Sequence, residues 1–289
     1  MQFNNTRVYN FEGAFRGMRN PMNSWDRSDS CFGLIDVYNE DYLTNVCDAW
    51  INAVDNVARA ALNKEPLSYD MTDYSEYYEK LDFYERWLTN EGILYANDEY
   101  SELYDVAFLG PNDLHLAQKL ILAGNEHAKF MRQIFVSVDI TAPLLWWKEF
   151  DTYKVGTVAN STSTMHKLSS IPITKEMFEF DGLDLIVASG TAPHSDGWEY
   201  RFEDYVEDIV TMCETLRLKF LETGDAMYWR ALVQILPSAY LQTRTVTMSY
   251  ANIRNIYFQR KNHKLREWHD FCDWIKILPY SNELITIGD

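Results

Sequence analysis

Ile134-Phe135-Val136-Ser137-Val138-Asp139-Ile140, followed by Thr141-Ala142-Pro143 and Leu144-Leu145-Trp146-Trp147, joins a strand to a helix. The first seven residues alternate apolar and polar side chains and are rich in β-branched types, the pattern of a half-buried strand. Pro143 follows, and Leu144 to Trp147 begin a short helix. Downstream, residues 156–170 are rich in hydroxyls, lack a regular period and read as a loop. Residues 202–223 and 225–236 read as helices, the second stopped by Pro237, and Thr243 to Met248 as a short strand. From Tyr250 to Trp274 the pattern predicts one long helix closed off by Pro279. Upstream, Gly110-Pro111-Asn112 caps a helix running from Asp113 to Gly124. Residues 38–64, with Leu43, Val46, Trp50, Val54, Val57 and Ala61 at helical spacing, and the tyrosine-rich 72–90 predict two more helices. Nearer the start, Val8 to Phe11 is strand-like, and Arg16 to Pro21 is a polar stretch with an Asn-Pro turn. No internal repeat is visible.

The chain has 289 residues, 47% of them hydrophobic and 24% charged, which suits one large domain or a core domain carrying an insertion. No run of 18 apolar residues free of charge occurs, so no membrane-spanning helix is expected. The first residues lack the basic and apolar regions of a signal peptide. Cys31, Cys47, Cys213 and Cys272 lie far apart with no Cys-x-x-Cys, which suits reduced thiols in the cytoplasm and argues against zinc. A net charge of −17 argues against binding DNA or RNA along their backbones. Residues 31–110 hold 17 acids against 4 bases, a net of −13. Residues 241–266 reverse this, with Arg244, Arg254, Arg260, Lys261, Lys264 and Arg266 and no acid. Such a stretch is either a solvated helix face balanced by the acidic region or a site for a small anion such as a nucleotide phosphate.

The sequence contains no Gly-x-x-x-x-Gly-Lys-Ser/Thr, no Gly-x-Ser-x-Gly and no His-Glu-x-x-His. The six histidines do not cluster at metal-ligand spacing, and His263 and His269 are placed on different faces of the long helix. Two segments offer chemistry. From Trp146 to Lys167, paired tryptophans, Lys154, Lys167, His166 and many hydroxyls could stack a heterocycle and hold a phosphate. After Leu236-Pro237 come Arg244, then Asn252 and Asn255 on one helix face, and Arg260 near its edge. Asparagine offers a donor and an acceptor to a base or flavin edge, and arginine a fork to phosphate.

On these residues the chain resembles the flavin-dependent thymidylate synthases. Their signature is Arg-His-Arg, seven residues, then Ser, within Arg-His-Arg-x-x-Ser-x-Asn-Glu-x-Ser-x-Arg. Tyr153-Lys154-Val155 stand where Arg-His-Arg would be, Asn160 matches the asparagine and Ser163 the final serine. The strand Ile134–Ile140 with Ala142-Pro143 looks like the family's strand and turn, and Gly124-Asn125-Glu126-His127 like its Gly-His…Glu-His region, with a residue or two inserted. Leu236-Pro237 followed at the family's interval by Asn255 and Arg260 is the better match. The chain departs from the family at Tyr153, Lys154 and Val155, at Ser161 for glutamate, at Met165 for arginine, and at Val233 for the arginine before Leu-Pro.

The resemblance implies an α+β fold, a small antiparallel sheet packed with long helices, in a single domain carrying an acidic helical insertion at about 31–109. It implies catalytic positions at Ser163, Lys154 and His166, and cofactor contacts at Asn255, Tyr153 and His127. Substrate contacts would be Arg260, Ser161, Ser163, Arg244 and Asn160. In the family FAD carries the redox chemistry, methylene-tetrahydrofolate and NADPH serve turnover of dUMP to dTMP, and the assembly is a homotetramer. Two readings follow: a synthase that methylates dUMP, or a scaffold that binds a nucleotide without turnover. A purely structural oligomer is a third. The aromatic-rich segments lead us to expect a homo-oligomer.

Overall fold

The computed structural model describes residues 1–36, 94–96, 103–190 and 197–289. In chain order these form β1 (Gln2–Tyr9), α1 (Phe11–Arg19), β2 (Cys31–Asp36), β3 (Leu94–Ala96), β4 (Leu103–Phe108) and α2 (Pro111–Ala123). Then come β5 (Phe135–Pro143), α3 (Leu144–Phe150), β6 (Thr157–Ser161), the helical turn α4 (Thr164–Lys167), β7 (Ile186–Gly190) and β8 (Trp198–Arg201). The chain continues through α5 (Phe202–Thr223), α6 (Ala226–Ile235), β9 (Leu241–Ser249), α7 (Tyr250–Arg260) and α8 (Arg266–Lys276). Helices and a small sheet in the order β1-β5-β9-β6 make the architecture α+β. Thr141 bonds to Thr243 and Asp139 to Thr245, so β5 and β9 run antiparallel. No helix among the described residues is long and apolar enough to cross a membrane.

The described residues divide into two compact units, and the divisions fall within β1, β5 and β9. In the first unit, Met1–Asn5 and Val138–Val246, β5 buries Val138, Ile140 and Ala142 at alternate positions, as its sequence pattern requires. The α5–α6 pair closes a core of Leu168, Ile173, Phe178, Cys213, Leu232 and Ala239. Gly224, with φ of 68°, ends α5 in the left-handed conformation that glycine adopts without strain. Asp225 then caps α6 by accepting from the Met227 amide at 2.9 Å. Arg217, buried on α5, forms two bonds to Glu214 at 2.7 and 2.6 Å and one to the Ser169 carbonyl. Glu214 also accepts from the Ile173 amide, which ties residues 169–173 to the helix. These bonds, those from Arg217 first, hold the Glu214 carboxyl below the ordinary glutamate range.

In the second unit, Thr6–Ser137 and Thr247–Asp289, Phe11, Ala14, Phe15 and Met18 form the buried face of α1. The expected strand thus stops before Phe11, and the polar stretch from Arg16 is helical. Asn10, at φ 70°, breaks the extended chain and donates to the Gln133 carbonyl, while its own carbonyl accepts from Ala14. Arg19 and Asp113 form a buried ion pair, and Ser28 and Ser30 both donate to the second Asp113 oxygen. Asp29 accepts from the Asn112 and Asp113 amides at the start of α2, so a carboxylate occupies that helix end.

The helices expected at 38–64 and 72–90 lie outside the described residues. The described parts of 31–109 are strands, β2 paired antiparallel with β4 from Cys31–Phe108 to Asp36–Leu103, and β3 on the other side of β4. The expected loop at 156–170 contains β6, an edge strand paired with β9, and the turn α4. The long helix expected from Tyr250 to Trp274 is two helices. The backbone turns at Lys261–Leu265, where the His263 amide donates to the Arg260 carbonyl and its Nδ1 accepts from Leu265. His269 Nε2 lies 2.6 Å from the His263 carbonyl oxygen, so these histidines meet across the turn. Ile253, Ile256 and Tyr257 of α7 and Trp268, Phe271 and Ile275 of α8 are all buried. A continuous apolar period therefore conceals the break.

Candidate functional site

In the first unit, α3 places Trp146 and Trp147 with none of their surface exposed. The tryptophans read as a stacking surface are core. Trp147 Nε1 donates to the Gln242 carbonyl at 2.9 Å, which fixes the ring beneath β9. Gln242 and Arg244 stand two apart on one face of that strand. The Arg244 guanidinium lies 4.2 Å from the Trp147 ring centre. Its Nε donates to Gln242 Oε1 at 3.0 Å and its Nη1 to Asp151 Oδ1 at 2.7 Å. The Gln242 amide in turn donates to the Thr162 carbonyl at 3.0 Å and to Thr164 Oγ1 at 3.2 Å. The Thr162 amide donates to the Thr243 carbonyl.

This frame gathers two segments at one end of β9. Residues 151–154, with half-buried Tyr153 and exposed Lys154, follow Asp151. Asn160 and Ser161 at the end of β6 are exposed, and Ser163 is half-buried at the head of α4, its carbonyl accepting from Lys167. His166 lies in α4, and its side chain is outside the described residues. Thus Tyr153, Lys154, Asn160, Ser161, Ser163, His166 and Arg244 belong to one unit. Gln242 is the member of this frame that the sequence patterns do not single out, while Asp151, Thr162 and Thr164 lie within the Trp146–Lys167 segment without individual roles. The signal that marks Gln242 is the alternation Gln242-x-Arg244, two polar side chains on the buried face of a strand. On the opposite face, Asp139 accepts from Thr245 and Asn5, and these bonds, Thr245 first, hold its carboxyl below the usual range.

The second unit holds the remaining residues. Asn255 is exposed on α7, its Oδ1 accepting from Gln259 at 3.0 Å. Asn252, read as sharing its face, is engaged in a capping box with Ser249. Arg260 is half-buried, its guanidinium 4.6 Å from the centre of the Trp268 ring. His127 is exposed, its amide donating to the Gly124 carbonyl. Elsewhere in the basic stretch, Arg254 donates to the carbonyls of Ile285 and Ile287 at 2.5 and 2.8 Å, and Lys261 pairs with Asp289. A polar cleft of about 290 Å³ opens among Tyr257, Lys261, Asn262, His269, Asp273 and Lys276. Cys213 and Cys272, one in each unit, are buried free thiols pushed up to about 11 by burial, which makes them poor nucleophiles. Among the described residues, no three His, Cys, Asp or Glu side chains come together as metal ligands.

No protein-family model and no curated protein sequence matches the chain. Among solved structures, it is similar to the flavin-dependent thymidylate synthase ThyX from Helicobacter pylori complexed with FAD and dUMP. That likeness is at 15% identity and a TM-score of 0.44, over 71% of this chain and 91% of that one. A UMP/dUMP methylase, PolB from Streptomyces cacaoi bound with 5-Br UMP, is similar at 13% identity and a TM-score of 0.42, over 61% of this chain and 82% of that one.

Proposed function

We propose that the chain is a divergent flavin-dependent thymidylate synthase-like protein that binds a dUMP-like nucleotide. The observation that carries the reading is the Arg244 frame. A guanidinium held on Trp147 and by Gln242 sits beside the hydroxyl-bearing segment that contains Ser163, and such a fixed fork suits a phosphate monoester. On this reading Arg244, Ser161, Ser163 and Asn160 contact the nucleotide, and Lys154, His166 and Ser163 stand at the reacting end; Arg260 is proposed separately, as a nucleotide contact of the second unit.

FAD is proposed as the cofactor. Asn255 and His127 in the second unit and Tyr153 in the first are the proposed contacts, each a side-chain type that carries a donor or acceptor for a flavin edge. Among the three positions of the altered motif, Lys154 supplies the cation and Val155 is 88% exposed. Bound flavin supplies the redox step, with NADPH and methylene-tetrahydrofolate needed only for turnover. We take the protein to be a cytoplasmic homotetramer. Leu185, Ile186, Val187 and Trp198 of the β7–β8 region, each at least half exposed, support association.

A second reading is binding without turnover, favoured by the charge lost at Tyr153, Val155, Ser161 and Met165. Groups that stabilise developing charge in a dry site contribute several kcal/mol to the barrier, so losing several lowers the rate by orders of magnitude. We expect calorimetry to show dUMP binding, weakened by about 1.5–3 kcal/mol in Arg244→Gln. Incubation with dUMP, methylene-tetrahydrofolate, FAD and NADPH should yield little or no dTMP. Conversion at roughly 0.1 s⁻¹ or faster would establish the synthase and give Lys154 and His166 the missing roles. Absence of binding to any nucleotide or flavin would remove both readings.

A further inference from the structure

The Arg244 ion pair is unequal in a way that bears on ligand entry. Arg244 keeps 15% of its side-chain surface, and Trp147 and Gln242 fix its guanidinium independently of Asp151. Trp147 is itself anchored to the Gln242 carbonyl, and the Gln242 amide to Thr162 and Thr164. The carboxylate is 52% exposed and, among the described residues, makes a single hydrogen bond, the one to Arg244 Nη1. Asp151 also stands at the C-cap of α3, where the helix dipole disfavours a negative charge, so α3 does not hold its carboxylate. The cation is built into the fold and the anion on it is loosely held.

We propose that Asp151 is an internal competitor for the anionic group of the ligand. Its carboxylate covers Arg244 in the ligand-free chain and gives way to an incoming phosphate monoester, swinging into water it already faces. The inference rests on the nucleotide-binding reading and adds a gate to it. An exposed carboxylate on an arginine is bound only by a small margin. A phosphate that engages both terminal nitrogens, Nη1 and Nη2, displaces it. No covalent bond is made or broken, and the ligand's apparent affinity is reduced according to the fraction of time Asp151 occupies the site.

The test is a double-mutant cycle read by calorimetry with dUMP and with inorganic phosphate, in Asp151→Asn, Arg244→Gln and the double variant. Thermal melting confirms that each variant folds. Asp151→Asn is expected to tighten dUMP by roughly two- to sixfold. The gain should vanish in the Arg244→Gln background. A gain that persists there comes from general charge repulsion and overturns the gate. So does an Asp151→Asn variant that binds dUMP no tighter than the wild type, an outcome that leaves nucleotide binding standing. If dUMP fails to bind but inorganic phosphate binds more tightly to Asp151→Asn in an Arg244-dependent manner, the gate stands and the nucleotide reading fails. Absence of any anion binding in all four proteins overturns both.

Discussion

In the first unit the guanidinium of Arg244 rests on Trp147 and meets a half-exposed carboxylate. In the second, that of Arg254, ten residues further along the same acid-free stretch, donates to the backbone carbonyls of Ile285 and Ile287 and lies over Phe258. A carbonyl partner belongs to the main chain and leaves only if the segment Ser281–Ile285 and the residues after it move. A surface carboxylate leaves by a side-chain rotation. Two like charges in one basic stretch therefore differ in availability, and charge density along a sequence does not measure charge on offer to a ligand.

The strongest break in that comparison is Arg254→Met. It leaves two carbonyls short of a charged donor and should cost about 2–4 kcal/mol in urea denaturation. Affinity for dUMP should be unchanged, and a loss of binding without a loss of stability would move Arg254 to the ligand side. Arg260 lies between the two cases, stacked on Trp268 and proposed above as a nucleotide contact. We expect Arg260→Ala to weaken dUMP by about 1.5–3 kcal/mol. Its stability should fall by no more than about 1 kcal/mol, the range of a partly exposed cation–π contact. The reverse split would place Arg260 with Arg254.

Arg217 and Glu214 sharpen the contrast from the other side, because here the carboxylate is held on both oxygens. Glu214→Gln should cost about 1–2 kcal/mol at pH 7. The folded protein holds the Glu214 carboxyl below its unfolded value of roughly 4.3. Its contribution is complete above that value and disappears as pH falls through the lower folded one. The gap between wild type and Glu214→Gln should accordingly close as denaturation is measured at falling pH. A gap that stays constant to pH 2 would show that the carboxylate's charge is irrelevant to the contact.

The sequence by itself determined the elements whose periods and stop signals lie within one segment. The strand expected at Ile134–Ile140 is found at Phe135–Pro143, and the helices before Gly124 and before Pro237 end where those residues require. It also marked Arg244 and the hydroxyl segment around Ser163 as candidate anion contacts, because charge and donor type are local properties. What it could not reveal was the state of those groups. Asp151 and Arg244 are 93 residues apart, and Gln242 lies 80 from Thr162. The turn at His263 is made by a side chain and a carbonyl with no glycine or proline to announce it. β6 is a strand because β9 supplies an edge, and Trp146 and Trp147 are core because α3 turns them inward. A period along the chain records which face is apolar. Which partner a polar group meets is settled only when distant segments are brought together, since hydrogen bonds and ion pairs act over a few ångströms.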